Sequence, residues 1–443
     1  MTSSRDRAER ASRARVAATR IEAEGVDAVA LGWVDNAGVG RVKAVPVRQL
    51  EHAAQWGVGA SPCFDHFLVD DAMAPGGGPV GDLRLVPDLD RLTRLAAQPG
   101  WAWAPVDRYA QDGTPHPGCQ RLFAARTAAG LESRGLAVRA GFEVEWVVCA
   151  EGGTGAGAGP AYGMRRLIGA SDYLRDVVRA LQEQHTHVLQ IHPEYATGQF
   201  EVSVAAAGPV EAADLALLVR HTVLAVSERH GLRATFAPAV TPFGVGNGGH
   251  LHLSLWRDGR NLGHGGLGPH GLTREAEAFL AGVLAELPAL LALGAPSAAS
   301  YLRLVPARWS GPYRCWGLEN REAALRLITG STGEQANAEV KCFDAAANPY
   351  LAVGGVLAAG LSGLDRALRL PPEVPGDPAT ADGVERLPAT LAEAAAALRD
   401  SEVLREAMGP QLHAAVLAVR EAESELFEGR TPEEIIDATR WRY

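Results

Sequence analysis

The sequence predicts an α+β protein of more than one domain, and three observations carry that expectation. At 443 residues the chain is too long for a single small core, and such a length corresponds loosely to two or three domains. Short stretches of alternating polarity recur along the chain, separated by apolar stretches of helical length, so strands and helices both contribute. A polar, turn-rich segment, DRYAQDGTPHPGCQR from Asp107 to Arg121, suits a junction. The expected division is residues 1–105, a small α+β unit, and residues 106–443.

In chain order, the N-terminus is rich in Ala and Arg (Arg5, Arg7, Arg10, Arg13, Arg15, Arg20) and lacks the apolar stretch of a secretory signal, so an exposed basic helix is expected. From Asp27 to Pro46 the polarity alternates about a turn at Asp35–Gly38, which predicts two short strands. A Gly- and Pro-rich loop follows at Ala74–Pro79, then a short strand over Asp82–Asp88. Beyond the junction come a helix at Leu122–Ser133 and an apolar strand from Ala137 to Cys149. The run Glu151–Gly159 (EGGTGAGAG) reads as a loop; no Lys-Ser or Lys-Thr follows it, so it is not a P-loop. Strand patterns at Gln199–Val204 and Gly249–Leu255 alternate with helices. The apolar stretch Phe279–Leu293 is broken by Glu286 and Pro288 and is too short to span a bilayer, so it predicts a buried helix. Thr390–Leu426 reads as a helical pair.

Bulk properties exclude several classes. Hydrophobic residues at 47% and charged residues at 21% are ordinary for a globular protein. A formal net charge of −10 argues against a general nucleic-acid binder, which needs a basic face. The cysteines (Cys63, Cys119, Cys149, Cys315, Cys342) lie far apart and form no CxxC pair, which suggests reduced, buried thiols in a cytoplasmic protein. No membrane or nucleic-acid partner is expected.

The chemistry lies in polar residues at strand spacing. Glu143 and Glu145 share one strand face, because side chains two apart in a strand point the same way. Paired carboxylates against an apolar core repel each other and require a cation or a proton. Glu194 and Glu201 occur in HPEYATGQFEVS, where a turn at Gly198 returns Glu194 towards Glu201. After the loop GVGNGG, His250, His252 and Ser254 share a face. Arg303, Arg321 and Arg326 are suited to gripping carboxylate or phosphate. Glu339 and Lys341 share another strand face. Five carboxylates with His form a hard donor set that suits Mg²⁺ or Mn²⁺. With Arg clamps beside them, they point to metal-assisted phosphoryl transfer from a nucleotide.

At this point the chain resembles the glutamine synthetase family. The matching segments occur in family order: GFEVEW, HPEYATGQFEVS, GNGGHLHLSL, SYLRLVPARWSGPYRCWGLENREAALR and AEVKCFDAAANPYLAVGGVLAAGL. The resemblance implies an N-terminal β-grasp domain, then a catalytic domain with a curved antiparallel sheet. It implies a double-ring homo-oligomer, usually a dodecamer, with active sites between subunits. It assigns Glu145, Glu194 and Glu201 to one metal and Glu143, His250 and Glu339 to the metal carried with ATP. His252 and Ser254 take nucleotide-contacting positions, and Gly246 the loop that holds glutamate. Arg303 takes the role of gripping the substrate carboxylate, and Arg321 and Arg326 that of stabilising the transferring phosphoryl group. The implied reaction activates the γ-carboxylate of glutamate as an acyl phosphate, which an amine then attacks.

Two departures bear on the amine. Ammonia-using members resembled here carry a Glu six positions after the counterpart of Arg303; this chain has Trp309. They also carry an Asp, supplied by the neighbouring subunit, where this chain has GVGASPCFDHF, with Ser61 its counterpart and Asp65 a weaker one. Losing both acids removes a cage for ammonium, and a Trp wall favours an alkylammonium. Both changes resemble the γ-glutamylamide ligase branch, whose amines are polyamines, ethanolamine or monoamines. The alternatives are a glutamine synthetase in which Glu319 or Asp65 supplies the missing acid, and a non-catalytic assembly protein. In addition, Lys341 replaces an Arg usual in the family, Asn337 and Ala338 replace a basic stretch, and Leu368 stands where some bacterial members have a regulatory Tyr.

Overall fold

A computed structural model of the chain describes residues 4–150, 157 and 159–443. It is α+β, as expected. The Gly-rich run Glu151–Gly159 lies outside the described residues except for Gly157 and Gly159.

The basic N-terminus is helical over Ser4–Ala23 and buries Ala14 and Ile21 against the first sheet. Strands β1 (Ala28–Val34) and β2 (Gly40–Pro46) pair antiparallel about the expected turn, where Val39 N–H donates to Asp35 Oδ1 at 2.9 Å. With β3 (Val58–Ala60), β4 (Leu83–Pro87), β5 (Thr93–Arg94) and β6 (Trp101–Tyr109) they form a six-stranded sheet. Its path is β2-β1-β6-β4-β3, and β1 runs parallel to β6. Leu31, Leu50, Leu85 and Ala104 form its core. This helix-backed mixed sheet is the expected β-grasp unit.

The larger sheet has nine strands: β7 (Ala137–Cys149), β8 (Val188–Pro193), β9 (Gln199–Val204), β10 (Arg233–Thr235), β11 (Leu251–Arg257), β12 (Arg260–Asn261), β13 (Tyr313–Leu318), β14 (Ala323–Ile328) and β15 (Asn337–Val340). The path is β13-β14-β15-β11-β7-β9-β8, antiparallel except for the parallel pair β13–β14. Its apolar face packs under the helices Pro209–Arg229, Arg274–Gly294 and Pro349–Asp365. The helix Arg274–Gly294 is long and apolar enough to cross a membrane, yet 83% of that window is buried within the protein. It is the central core helix that the segment Phe279–Leu293 predicts.

The C-terminal tail differs from the expected helical pair. It forms three helices, Leu391–Asp400, Glu402–Met408 and Pro410–Leu426, followed by a fourth at Pro432–Thr439. The Ser401 side chain accepts the Leu404 N–H and starts a new helix there, and Gly409 at φ +79° forces the next break. These local signals sit inside a stretch whose Ala, Leu and Glu content hides them.

Candidate active site

Strand register assembles the polar residues into rows across the larger sheet. In one row His192, Glu201 and Glu145 lie on adjacent strands, with His192 opposite Glu201 and Glu201 opposite Glu145. In the other, His252 lies opposite Glu339, which lies opposite Arg326. Glu143 stands between the rows on the same face as Glu145. Side chains directly opposite on a sheet come within interaction distance, so register alone brings these groups together.

Glycines in the expected loop GVGNGG allow the close approach. A Cβ on Gly248 would lie 2.4 Å from His250 Nε2 and 2.9 Å from Glu145 Oε1, and one on Gly246 would lie 2.0 Å from the Pro238 carbonyl oxygen. The loop then gives Glu145 its hydrogen bonds: Gly248 N–H donates to Oε2 at 2.8 Å, joined by Gln199 Nε2 at 2.9 Å.

A chamber of about 580 Å³ opens over the rows. It gathers Glu143, Glu145, Glu194, Glu201, His250 and Gly246 with Arg303, Arg321, Arg326, Lys341 and Trp309. A neighbouring cavity of about 430 Å³ shares Glu143 and Gln190 with it and is lined by His252, Ser254, Phe142 and Trp256. Glu339 lies beneath the first chamber, its carboxylate accepting from Lys341 Nζ at 2.9 Å and Arg326 Nη1 at 3.0 Å. One residue is not brought in: Ser61 lies in the N-terminal unit, where its Oγ accepts the Cys63 N–H at 3.3 Å.

Two groups offer a metal-binding arrangement. Glu143, His252 and Glu339 each offer a ligand atom within 4.8 Å of the others, as do His192, Glu194 and Glu201. His250 joins the first group, its Nδ1 3.2 Å from Glu143 and 3.3 Å from Glu339. Its Nε2 accepts from Arg303 Nη2 at 3.0 Å, which leaves the proton or a metal for Nδ1.

Charge is unevenly distributed. Burial and the Glu201 and Glu194 carboxylates push Glu145 up to about 8. Burial also raises Glu143, but hydrogen bonds from His250 and His252 outweigh it and hold this carboxyl well below its usual range. Burial alone would lower His252; the hydrogen bond and charge of Glu143 raise it to about 9. A cluster that must hold protons on Glu145 and His252 to tolerate its own carboxylates is one a divalent cation suits. Arg303, buried, has Nη1 without a hydrogen-bond partner among the described residues and lines the chamber. A buried donor left unpaired is costly, and a substrate carboxylate would satisfy it.

Reading the sequence missed three contributors. His192 sits two residues before Glu194 on β8, a strand that no alternating pattern marked. Tyr162 donates from its hydroxyl to Glu194 and stacks on His192 with ring centroids 5.2 Å apart. Tyr195 stacks on Trp309 at 4.4 Å and 19°. The position of Tyr195 beside Glu194 was the available signal for it; Tyr162 carries none. The two acids considered as replacements are both engaged: Asp65 is buried against Arg108 Nη1 at 2.5 Å, and Glu319 pairs with Arg326.

The chain is similar to known proteins in sequence and in fold. The family model for the catalytic domain of glutamine synthetase matches residues 117–437. The chain is 55% identical, over 451 residues covering 97% of both chains, to the γ-glutamylpolyamine synthetase GlnA3 of Streptomyces coelicolor. It is 31% identical over 396 residues, 86% of both chains, to the glutamine synthetase of Pyrococcus horikoshii. Among solved structures, a novel glutamine synthase homolog superposes with a TM-score of 0.86 at 35% identity, over 94% of this chain and 99% of that one. GmaS in complex with ADP superposes at 0.84 with 28% identity, over 94% and 96%.

Proposed function

This chain belongs to the glutamine synthetase family and is an ATP-dependent carboxylate–amine ligase; from that premise we propose that it joins the γ-carboxylate of glutamate to a polyamine. The observation that carries the choice of amine is the stacked pair Trp309–Tyr195 on the chamber wall, where the ammonia-using members it resembles carry an acid. Indole and phenol faces attract an alkylammonium and pack its methylene chain, worth roughly 0.5–2 kcal/mol. The similarity to a γ-glutamylpolyamine synthetase supports the same choice.

In this reading Arg303 grips the α-carboxylate of glutamate through its unpaired Nη1, with Gly246 shaping the backbone around it. Arg321 and Arg326 stand over the reacting phosphoryl group, and Lys341, on the chamber wall, holds Glu339 in place. His252 and Ser254 border the cavity that takes the nucleotide. Glu145, Glu194 and Glu201 would hold one divalent ion and Glu143, His250 and Glu339 a second, Mg²⁺ or Mn²⁺. Such ions supply charge neutralisation for the transferring phosphoryl group. The γ-carboxylate attacks ATP to give γ-glutamyl phosphate and ADP; the neutral amine then attacks that carbonyl and expels phosphate. Activity belongs in the cytoplasm, in a double-ring homo-dodecamer where Ser61 of a neighbouring copy completes the amine site.

The test is phosphate release from ATP with Mg²⁺ and glutamate against ammonium, methylamine, ethanolamine, putrescine and spermidine. The expected result is turnover with putrescine or spermidine and little with ammonium. Turnover mainly with ammonium overturns the proposal.

A further inference from the structure

The loop 304–311 that carries Trp309 holds a conformation its own residues disfavour. Ala307 at φ +59° and Trp309 at φ +55° both sit in the left-handed region, where a Cβ crowds the neighbouring carbonyl oxygen. Contacts from outside the loop must hold it there. Glu322 provides them: its Oε1 accepts the Trp309 N–H at 2.6 Å, and its Oε2 accepts the Ala307 N–H at 3.3 Å. A single carboxylate thus takes the amides of both strained residues through charge-assisted bonds.

Glu322 is itself seated. Its backbone N–H donates to Asn320 Oδ1 at 3.1 Å, and Asn320 Nδ2 donates to the Val374 and Gly376 carbonyls at 2.8 Å each. At the far end of this series lies the indole, stacked on Tyr195. Arg321 lines the chamber but Glu322 does not, so Glu322 acts through the loop and not on substrate.

We propose that Glu322 is a positioning residue that sets amine selectivity: it latches Ala307 and Trp309 in their left-handed conformation and thereby presents the Trp309–Tyr195 wall to the incoming amine. This rests on the amine-ligase reading above. His252 and Ser254 of the nucleotide cavity stand on β11, Arg303 stands on the short helix Ser300–Arg303 ahead of the loop, and among the described residues none of their side chains hydrogen-bonds to Glu322.

The experiment compares full-length wild type with Glu322→Ala, Glu322→Gln and the double variant Glu322→Ala/Ala307→Gly. Hydrogen exchange across residues 305–311 is measured without substrate, and KM and kcat are measured for putrescine, spermidine, glutamate and ATP. In Glu322→Ala, exchange is expected to accelerate and the amine KM to rise about tenfold, the scale of a lost cation–aromatic contact. The glutamate and ATP KM values should stay within about twofold. Glu322→Gln, with one acceptor oxygen, should fall between. Glycine at 307 accepts a positive φ without steric cost, so the double variant should recover part of the loss. Unchanged exchange, an unchanged amine KM, or equal losses for all substrates overturns the proposal. Wild type run with ammonium in the same assay separates the two claims. A preference for ammonium removes the amine reading and the selectivity role with it, while exchange still reports whether Glu322 holds the loop.

Discussion

Glu145 is buried beside Glu201 and Glu194, and Arg303 and the Gly248 N–H oppose their effect without offsetting it. A carboxyl raised in the folded state contributes stability that is complete at low pH and is lost as pH rises through its folded value, here about 8. Glu145→Gln keeps an oxygen for the Gly248 and Gln199 hydrogen bonds but removes the charge. The variant is therefore expected to melt higher than wild type in chelator at alkaline pH. It should also need at least about tenfold more divalent ion for half-maximal phosphate release. Differential scanning fluorimetry and a metal titration check the two halves; a variant that loses stability and keeps wild-type metal dependence contradicts the metal assignment.

Among the elements, the helices Arg274–Gly294 and Pro349–Asp365 meet through glycine. A Cβ on Gly363 would stand 2.1 Å from the Ala278 carbonyl oxygen and 2.8 Å from Gly282 Cα, both backbone atoms that cannot swing aside. Glycine costs helix propensity on each helix, so its presence reflects the crossing and not local preference. Gly363→Ala is expected to destabilise by about 1–3 kcal/mol, the range for overpacking, read as a lowered denaturation midpoint. An exposed helical glycine with open space around it, Gly169, is the control: Gly169→Ala should be neutral or stabilising.

The C-terminal helices meet the N-terminal unit at Glu423, on the helix Pro410–Leu426. Its Oε1 accepts the Val69 N–H at 2.8 Å, linking the C-terminal helices to the connection between β3 and β4, where Ala37, Leu68, Ala74 and Val419 share a small core. Burial raises Glu423 to about 7 in spite of nearby Arg420. The sign follows as for Glu145: its contribution is full below about pH 4.3, the unfolded value, and is lost as pH passes 7. Between about pH 5 and pH 8 the melting temperature of wild type should fall more steeply than that of Glu423→Gln, which cannot ionise and keeps the acceptor oxygen. Equal slopes would show that Glu423 does not titrate across this range.

The sequence by itself singled out most of the polar residues that the fold gathers at the two cavities. Carboxylates and histidines at strand spacing, Gly clusters and Arg series are local patterns, and period two alone places Glu143 with Glu145 and His250 with His252 on shared faces. Seven of the fifteen described strands (β1, β2, β4, β7, β9, β11 and β15) were legible for the same reason; β8 was among those that were not, because its residues VLQIHP are neither strictly alternating nor uniformly apolar. Only the tertiary structure decided which faces meet. Register across β8, β9 and β7 sets His192 against Glu201 and Glu145, and no spacing along the chain encodes a pairing between strands. Likewise Tyr162 reaches Glu194, Tyr195 reaches Trp309 across more than a hundred residues, and Glu322 reaches back to the strained loop. Such contacts depend on where separately folded segments come to rest, and that is set by packing of the whole core, to which every buried side chain contributes.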